Sequence, residues 1–307
     1  MTHTPRKRFG QNFLHDHNII YNILSSIQAK PGEHWVEIGP GQGVLTEPLL
    51  KLGLRLDVVE LDRDLVALLK NKFGQQNHLQ IHSADALKFD FTALAEDNEK
   101  LRIIGNLPYN ISTPLMFHLL DNASCIEDMH FMLQKEVVDR ICATPGSKKY
   151  GRLSVMMQYY CATELLFDVP PESFDPAPKV TSAIVRLVPH QQPPVKVNDM
   201  QNLNRVVTQA FSQRRKTLRN SLKKLIEEDA IIALNIDPAL RAEALSLMDF
   251  ANLSNLLQEI PWALRQSVTR QYATFHPVDY TAKLYATLEM QTSSSEIRVL
   301  YPSLNAA

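Results

Sequence analysis

Apolar residues up to about residue 190 fall into short continuous runs, separated by polar turns and by stretches with helical spacing. The runs predict strands over 34–38, 56–61, 79–82, 101–105, 129–133, 165–169 and 183–188. Helical spacing between the earlier runs predicts helices over 44–52, 65–72 and 114–120. Strands that alternate with helices form βαβ units, so the predicted fold class is α/β with a Rossmann-like, mostly parallel sheet.

The end of this α/β region differs from its beginning. Only a proline-rich loop over 170–178 separates the last two predicted strands, so we expect them to pair antiparallel at one end of the sheet. Pro189, Pro193 and Pro194 then mark an interdomain linker. Helical spacing resumes over 203–211, 218–227, 239–244 and 253–257. We therefore predict an α/β domain with a basic N-terminal arm over 1–190, a small all-helical domain over 191–260 and a tail of unassigned role over 261–307.

Composition places the chain among soluble globular proteins, because hydrophobic residues make up 45% and charged residues 21% of its 307 residues. No apolar run is long enough to cross a bilayer, so we expect no membrane partner. Cys125, Cys142 and Cys161 are few and widely spaced, which is typical of reduced thiols and indicates a cytoplasmic protein. The histidines and cysteines lack the spacing of metal ligands, so we expect no metal site.

The distribution of charge indicates a nucleic-acid partner, although the net charge of the chain is only −1. Seven basic residues and no acidic residue lie between 203 and 224: Arg205, Arg214, Arg215, Lys216, Arg219, Lys223 and Lys224. A second basic cluster, Arg6, Lys7 and Arg8, lies in the N-terminal arm. Local positive potential attracts phosphate whatever the overall charge. The alternative reading of the larger cluster is a solvated helix face without a binding role.

A glycine-rich turn with two following acids predicts a site for an adenosine-containing cofactor. Gly39 and Gly41 follow the first predicted strand and let the backbone approach a ligand closely. Glu60 ends the second strand, where an acid can bind ribose hydroxyls, and Asp85 follows the third, where it can accept from an adenine amine. Each acid alone is also consistent with a helix cap. A nicotinamide dinucleotide is the competing cofactor, since those enzymes use a related turn.

Asn106, Leu107, Pro108 and Tyr109 follow the fourth predicted strand and suit a flat base that carries an amino group. The amide oxygen of Asn106 and a backbone carbonyl can accept hydrogen bonds from an NH₂ group, and the Tyr109 ring can stack on the base. The tetrapeptide offers no acid or base for hydride transfer, which disfavours a dehydrogenase. With the glycine-rich turn, it predicts methyl transfer from S-adenosylmethionine to a nucleobase.

These motifs together resemble the KsgA family of ribosomal RNA adenine dimethyltransferases. The matching stretches are 11–14, 37–43, 60, 85–86, 106–109, 174–180 and 211–222, in that order and spacing, within roughly residues 5–260. The resemblance implies a class I methyltransferase domain with a small helical C-terminal domain, and S-adenosylmethionine as methyl donor. It implies cofactor contacts at Asn12, Leu14, Gly39, Glu60, Asp85 and Asn106. The tail after about 261 runs past the usual end of the family.

The resemblance also implies the substrate: two adjacent adenosines in a hairpin loop near the 3′ end of small-subunit (16S) ribosomal RNA, each methylated twice. The partner would be a pre-30S particle, bound by a monomeric enzyme. We expect the Asn106 oxygen and the Leu107 or Pro108 carbonyl to accept from the target amine, with Tyr109 and Phe174 stacking on the flipped base. RNA contacts are expected from the N-terminal cluster and from Arg214, Arg215, Lys216 and Arg219.

Three related alternatives remain at this stage. An antibiotic-resistance relative that methylates large-subunit RNA would share the Asn-Leu-Pro-Tyr site, although the match over 211–222 favours the small-subunit enzyme. A non-catalytic ribosome-assembly factor would keep the fold and bind RNA without transferring methyl groups. A DNA adenine methyltransferase commonly carries an acid where this chain has Asn106, so we expect no DNA partner.

Overall fold

The computed structural model describes residues 11–96, 99–108 and 111–257 of the chain. The strands within these ranges are β1 Phe13–Leu14, β2 His34–Ile38, β3 Arg55–Glu60, β4 Leu79–Ser83, β5 Leu101–Asn106, β6 Ile126–Gln134, β7 Cys161–Val169, β8 Phe174–Asp175 and β9 Ser182–Pro189. The α-helices are α1 His17–Ile27, α2 Thr46–Lys51, α3 Arg63–Phe73, α4 Ser112–Leu120, α5 Lys135–Ile141, α6 Arg152–Tyr160, α7 Met200–Phe211, α8 Leu218–Ser221, α9 Glu228–Ala233 and α10 Leu247–Asn255. Every strand predicted from the sequence is present, with small shifts in its bounds.

A seven-stranded sheet in the order β4-β3-β2-β5-β6-β9-β7 organises the fold. Strands β4, β3, β2, β5 and β6 pair in parallel, each with the next. Strand β9 pairs antiparallel with both β6 and β7. The predicted α/β class and the antiparallel end of the sheet are therefore confirmed. Strands β1 and β8 form a separate antiparallel pair, which brings the chain before α1 against the loop before β9.

The sheet divides the apolar interior into two cores. All five residues of β2 are buried, as expected for a central strand covered on both faces. Because successive side chains of a strand point to opposite faces, Val36 packs with Ile103 on one side and Trp35 packs with Ile104 on the other. The continuous apolar runs of the sequence follow from this double burial.

The helical region differs most from its prediction. The continuous helix predicted over 218–227 is wrong, because α8 ends at Ser221 and α9 begins only at Glu228. The helix predicted over 239–244 is reduced to a 3₁₀ turn at Ala242–Ala244. The physical reason is tertiary pairing: the backbone N–H groups of Leu218 and Arg219 donate to the carbonyls of Leu240 and Pro238. These contacts hold 238–240 against the start of α8 instead of within a helix.

The described residues up to Leu256 belong to one compact unit. Within it, α7 packs against both α6 and α10. The predicted boundary between 1–190 and 191–260 stays a prediction, and the predicted tail over 261–307 lies outside the described residues. In the part of the chain that is described, no helix combines the length and apolar character that a bilayer span requires.

Candidate active site

A cavity of about 670 Å³ opens at the carboxyl edge of the parallel strands. Loops that follow the parallel strands, together with the segment around β1, line it. Nine residues predicted from the sequence are among the lining residues: Asn12, Leu14, Gly39, Gly41, Glu60, Asp85, Asn106, Leu107 and Pro108. Residues at or after the carboxyl ends of β2, β3, β4 and β5 meet here because parallel strands present these ends at one edge, and the segment around β1 adds Asn12 and Leu14 to the same cavity.

The glycine-rich turn forms a close-fitting wall of this cavity. Gly39 and Gly41 adopt left-handed backbone conformations, with φ of 68° and 58°, which favour glycine. A Cβ atom on Gly41 would lie 3.1 Å from the Phe13 ring, so the turn also needs the small side chain for space. The backbone is therefore shaped to come close to a ligand.

Glu60 is held rigidly beside the turn. One carboxylate oxygen accepts from the Asp62 backbone N–H at 2.8 Å, and the other accepts from the Gly41 N–H at 3.3 Å. The side chain is largely buried, and burial raises the pKa of Glu60 above its ordinary value. Its position at the end of β3 suits a fixed acceptor for ribose hydroxyls.

Asp85 combines the two roles that the sequence left open. One carboxylate oxygen accepts from the Leu87 backbone N–H at 3.0 Å, which closes a turn after β4. The half-buried side chain also lines the cavity. A turn-forming aspartate can still offer its second oxygen to a ligand amine.

The amide of Asn106 has a defined orientation. Its NH₂ group donates to the backbone carbonyl of Asn12 at 3.1 Å, which leaves the side-chain oxygen available as an acceptor. Next to it, a Cβ atom on Gly105 would lie 2.6 Å from the carbonyl oxygen of Ile38, so β2 and β5 approach closely there. The Leu107 N–H donates to the Met132 carbonyl at 3.2 Å and continues the β5–β6 ladder. Tyr109 lies outside the described residues.

Phe174 lies apart from the cavity in this structure. It begins β8, pairs with Leu14, and is 3% exposed in the core that also contains Val169. It is not among the residues that line the cavity. Stacking of Phe174 on a base stays a prediction, and it requires the ring to leave this packed position.

Sequence reasoning did not single out Glu37, which also lines the cavity. This acid lies within the buried strand β2, is 2% exposed, and accepts from the Thr46 hydroxyl at 2.6 Å. Burial, helped by the nearby charge of Glu60, raises the pKa of Glu37 to about 7. The available signal was an acid within the first predicted strand, two residues before Gly39.

Glu37 should make the stability of the unliganded protein depend on pH. A carboxyl whose pKa rises from 4.5 to about 7 on folding favours the folded state below pH 4.5, and that advantage is lost as pH rises through 7. Glu37→Gln removes the charge and keeps an acceptor for Thr46. We expect it to unfold like the wild type at pH 4.5 but to be about 1–3 kcal/mol more stable at pH 8.

Urea unfolding at both pH values measures this difference. Glu47→Gln is the matched control, because the Glu47 side chain is 44% exposed and its pKa is lowered by hydrogen bonds from Lys51 and Lys72. The free energy of unfolding of the Glu47→Gln control should not exceed that of the wild type at pH 8. Equal stability of Glu37→Gln and the wild type at both pH values would contradict a protonated, buried Glu37.

The lining residues fit S-adenosylmethionine. Two left-handed glycines leave room for close backbone approach, Glu60 and Asp85 offer acceptors for hydroxyl and amino groups, and Leu14 and Leu61 add apolar surface. Among the described residues, no group of three or more histidine, cysteine or acidic side chains is arranged to hold a metal ion.

The basic residues predicted to bind RNA occupy a different region of the surface. Arg214, Arg215 and Lys216 are exposed in the loop after α7. Arg219 lies on α8, where its guanidinium is 3.6 Å from the Glu228 carboxylate. The N-terminal residues Arg6, Lys7 and Arg8 lie outside the described residues.

Comparison with known proteins identifies the family of the chain. The family model for ribosomal RNA adenine dimethylase matches residues 2–259. A ribosomal RNA small subunit methyltransferase A from Pseudomonas aeruginosa is 60% identical over 259 residues, which is 84% of this chain and 97% of the relative. The protein of the same name from a Marinomonas species is 58% identical over 253 residues, which is 82% of this chain and 95% of the relative.

Solved structures agree with this fold. A dimethyladenosine transferase from Plasmodium falciparum aligns with a TM-score of 0.67 and 25% identity, covering 78% of this chain and 95% of that one. The 23S rRNA methyltransferase ErmE aligns with a TM-score of 0.63 and 24% identity, covering 80% of this chain and 99% of that one, and shows the fold alone. The predicted methyltransferase fold and family are therefore confirmed. The chain belongs to the ribosomal RNA adenine dimethylase family of S-adenosylmethionine-dependent methyltransferases.

Proposed function

We propose that this enzyme dimethylates the exocyclic amines of two adjacent adenosines in the 3′-terminal hairpin loop of small-subunit ribosomal RNA. Its substrate would be a pre-30S particle in the cytoplasm, and the enzyme would act as a monomer. The observation that carries the proposal is the fixed amide of Asn106 at the edge of a cavity that fits an adenosine-containing methyl donor. Identity of 60% to a protein named for the small subunit favours small-subunit RNA as the substrate.

In this proposal, some residues around the cavity bind the methyl donor and others bind the target base. S-adenosylmethionine, when bound, supplies a methyl group on a positively charged sulfur. The residues that would hold it are Asn12, Leu14, Gly39, Gly41, Glu60, Asp85 and Asn106. The target base would lie beside 106–109, with Tyr109 as its stacking platform.

The role of Asn106 follows from the chemistry of an adenine amine. Its lone pair is delocalised into the ring, so the amine is a poor nucleophile. The Asn106 oxygen and the carbonyl of Leu107 or Pro108 would accept its N–H groups and favour a pyramidal nitrogen. Fixed acceptors also stabilise the positive charge that develops on this nitrogen. The proton becomes acidic only after transfer, so no strong general base is needed beforehand.

Addition of the second methyl group gives a separate prediction. The same acceptors must admit an amine that has lost one N–H donor, so their contacts must be shared or adjustable. We expect turnover on RNA carrying N6-monomethyladenosine, measured beside unmethylated RNA under single-turnover conditions. Failure to use the monomethylated substrate would contradict dimethylation and leave only a single transfer.

The proposed function is tested by incubating the enzyme with labelled S-adenosylmethionine and small ribosomal subunits that lack the modification. Nuclease digestion then identifies the labelled nucleoside and its position. We expect N6,N6-dimethyladenosine at two adjacent loop positions. A parallel incubation uses large-subunit RNA. Label in large-subunit RNA alone would assign the chain to the resistance-enzyme type, and small-subunit binding without label would contradict the proposed target.

A further inference from the structure

Two loops far apart in the chain meet beside the basic cluster. The connection between α5 and α6, residues 142–151, approaches the loop between α7 and α8, residues 212–217. The guanidinium of Arg214 donates to the Lys148 carbonyl at 2.6 Å and to the Tyr150 carbonyl at 3.2 Å. These bonds join residues 66 and 64 positions apart.

Further contacts fix this meeting point. The buried ring of Tyr150 lies edge-on against Phe211, with ring centroids 6.2 Å apart, and Phe211 contacts Phe250 at 5.6 Å. The Gly146 N–H donates to the Glu243 carbonyl at 2.7 Å. The Glu243 carboxylate lies 3.6 Å from the Arg214 guanidinium. Both loops are therefore anchored to the helices beneath them.

The basic residues of these two loops differ in whether they are already paired with an acid or a carbonyl oxygen. Arg214 is engaged by two carbonyls and Glu243, and Lys149 is paired with Asp139 at 2.6 Å. Lys148, Arg215 and Lys216 are exposed, and within the described ranges none of them forms an ion pair with an acid. An exposed cation without an acidic neighbour gains most from a phosphate.

We propose that Lys148, Arg215 and Lys216, called here the junction cations, form one phosphate-binding surface for the ribosomal RNA backbone. Arg214 is a positioning residue that holds the Lys148 loop against the Arg215 loop, because one terminal nitrogen of its guanidinium donates to the carbonyls of both Lys148 and Tyr150. This inference rests on the proposed function. It extends the RNA surface from the helical region onto the α5–α6 connection and assigns a different role to Arg214.

The salt dependence of RNA binding tests the surface. The logarithm of the affinity falls as the logarithm of the salt concentration rises. Each phosphate contact that is lost reduces the magnitude of this slope by about 0.7–0.9. On naked small-subunit ribosomal RNA, we expect Lys148→Gln, Arg215→Gln and Lys216→Gln each to lower the slope by about this amount. The matched control is Lys70→Gln, an exposed lysine on α3, which packs beside β4 at the other end of the sheet, and its slope should equal the wild-type slope.

The two proposals fail in distinguishable ways. A wild-type slope for Lys148→Gln, with methyl transfer by the wild type intact, overturns the junction surface only. Wild-type enzyme that neither binds nor methylates RNA overturns the proposed function. A slope change that appears with intact subunits but not with naked RNA assigns the surface to a ribosomal protein and overturns an RNA backbone contact.

A double-mutant cycle tests the role of Arg214. We expect Arg214→Gln to lower affinity about as much as Lys148→Gln while raising amide hydrogen exchange over 143–150. In a Lys148→Gln background, Arg214→Gln should then have little further effect on affinity, because both changes remove the same contact. Additive losses with unchanged exchange would make Arg214 an independent phosphate contact and overturn its positioning role.

Discussion

Asn106→Ala is expected to reduce methyl transfer by about 100-fold or more, the loss seen when one preorganised transition-state hydrogen bond is removed. The variant lacks the oxygen that accepts from the adenine amine and the NH₂ group that donates to Asn12. Cofactor affinity should fall less, by up to about 10-fold, because one ordinary hydrogen bond contributes about 0.5–1.5 kcal/mol. Single-turnover rates on unmodified subunits and calorimetric cofactor titration measure the two effects separately.

Two further variants test whether the loss of methyl transfer is specific to the Asn106 amide. Asn122→Ala is the matched control, because the Asn122 amide also donates to a backbone carbonyl, that of His118, at 3.1 Å, and Asn122 does not line the cavity. Its turnover should equal that of the wild type. Asn106→Asp keeps acceptor oxygens, replaces the NH₂ donor by an oxygen and adds a negative charge. It should retain more activity than Asn106→Ala. Near-normal turnover of Asn106→Ala would refute the role of this side chain.

The features that could be predicted from sequence are those set by local pattern and sheet geometry. Buried parallel strands need apolar side chains on both faces, so their positions are visible as continuous runs. Acids at or just after the carboxyl ends of such strands, such as Glu60 and Asp85, must meet at the carboxyl edge of the sheet. The cavity follows from these two facts without knowledge of long-range packing.

The features that could not be predicted depend on contacts distant in sequence. Arg214 looks like any other member of a basic cluster until its bonds to the carbonyls of Lys148 and Tyr150 are known. Phe174 has an aromatic ring in a proline-rich loop, and only its pairing with Leu14 shows that the ring is buried. Helix α6 passes directly into β7 at Cys161 without a turn residue, so the sequence carries no break there.

Asp128→Ala is expected to destabilise the fold by about 3 kcal/mol, the low end for a broken buried ion pair, because the largely buried Arg102 keeps only the partly exposed Glu33 as a carboxylate partner. Asp128 accepts from Arg102 at 2.8 and 2.9 Å and from Arg186 at 3.2 Å. Burial alone would raise the pKa of Asp128, but the hydrogen bonds from Arg102 and the nearby positive charges, including that of Arg186, together outweigh burial and hold the pKa below its ordinary value. Arg102 also lies over the Trp35 ring at 4.3 Å. Removal of the Asp128 carboxylate therefore also affects packing in the core that contains Trp35.

The location of this pair separates stability from function. Arg102 and Asp128 face each other near the amino ends of β5 and β6, whereas Asn106 and Met132 face each other near the carboxyl ends, at the cavity. Cofactor affinity of the folded Asp128→Ala protein should therefore be unchanged, while urea unfolding shifts strongly. Glu136→Ala, which breaks an exposed pair with Arg140, should cost less than about 1 kcal/mol.

The effect of Asp128 should also depend on pH in a defined direction. A carboxyl with a lowered pKa stabilises the folded state above its ordinary value, about 3.9, and loses that contribution as pH falls through its folded value. The difference between wild type and Asp128→Ala should therefore be constant from pH 8 to about 5 and shrink below about 4, because the carboxyl of the unfolded chain is protonated there before that of the folded protein. A difference that persists undiminished in acid would mean that Asp128 contributes through packing rather than charge.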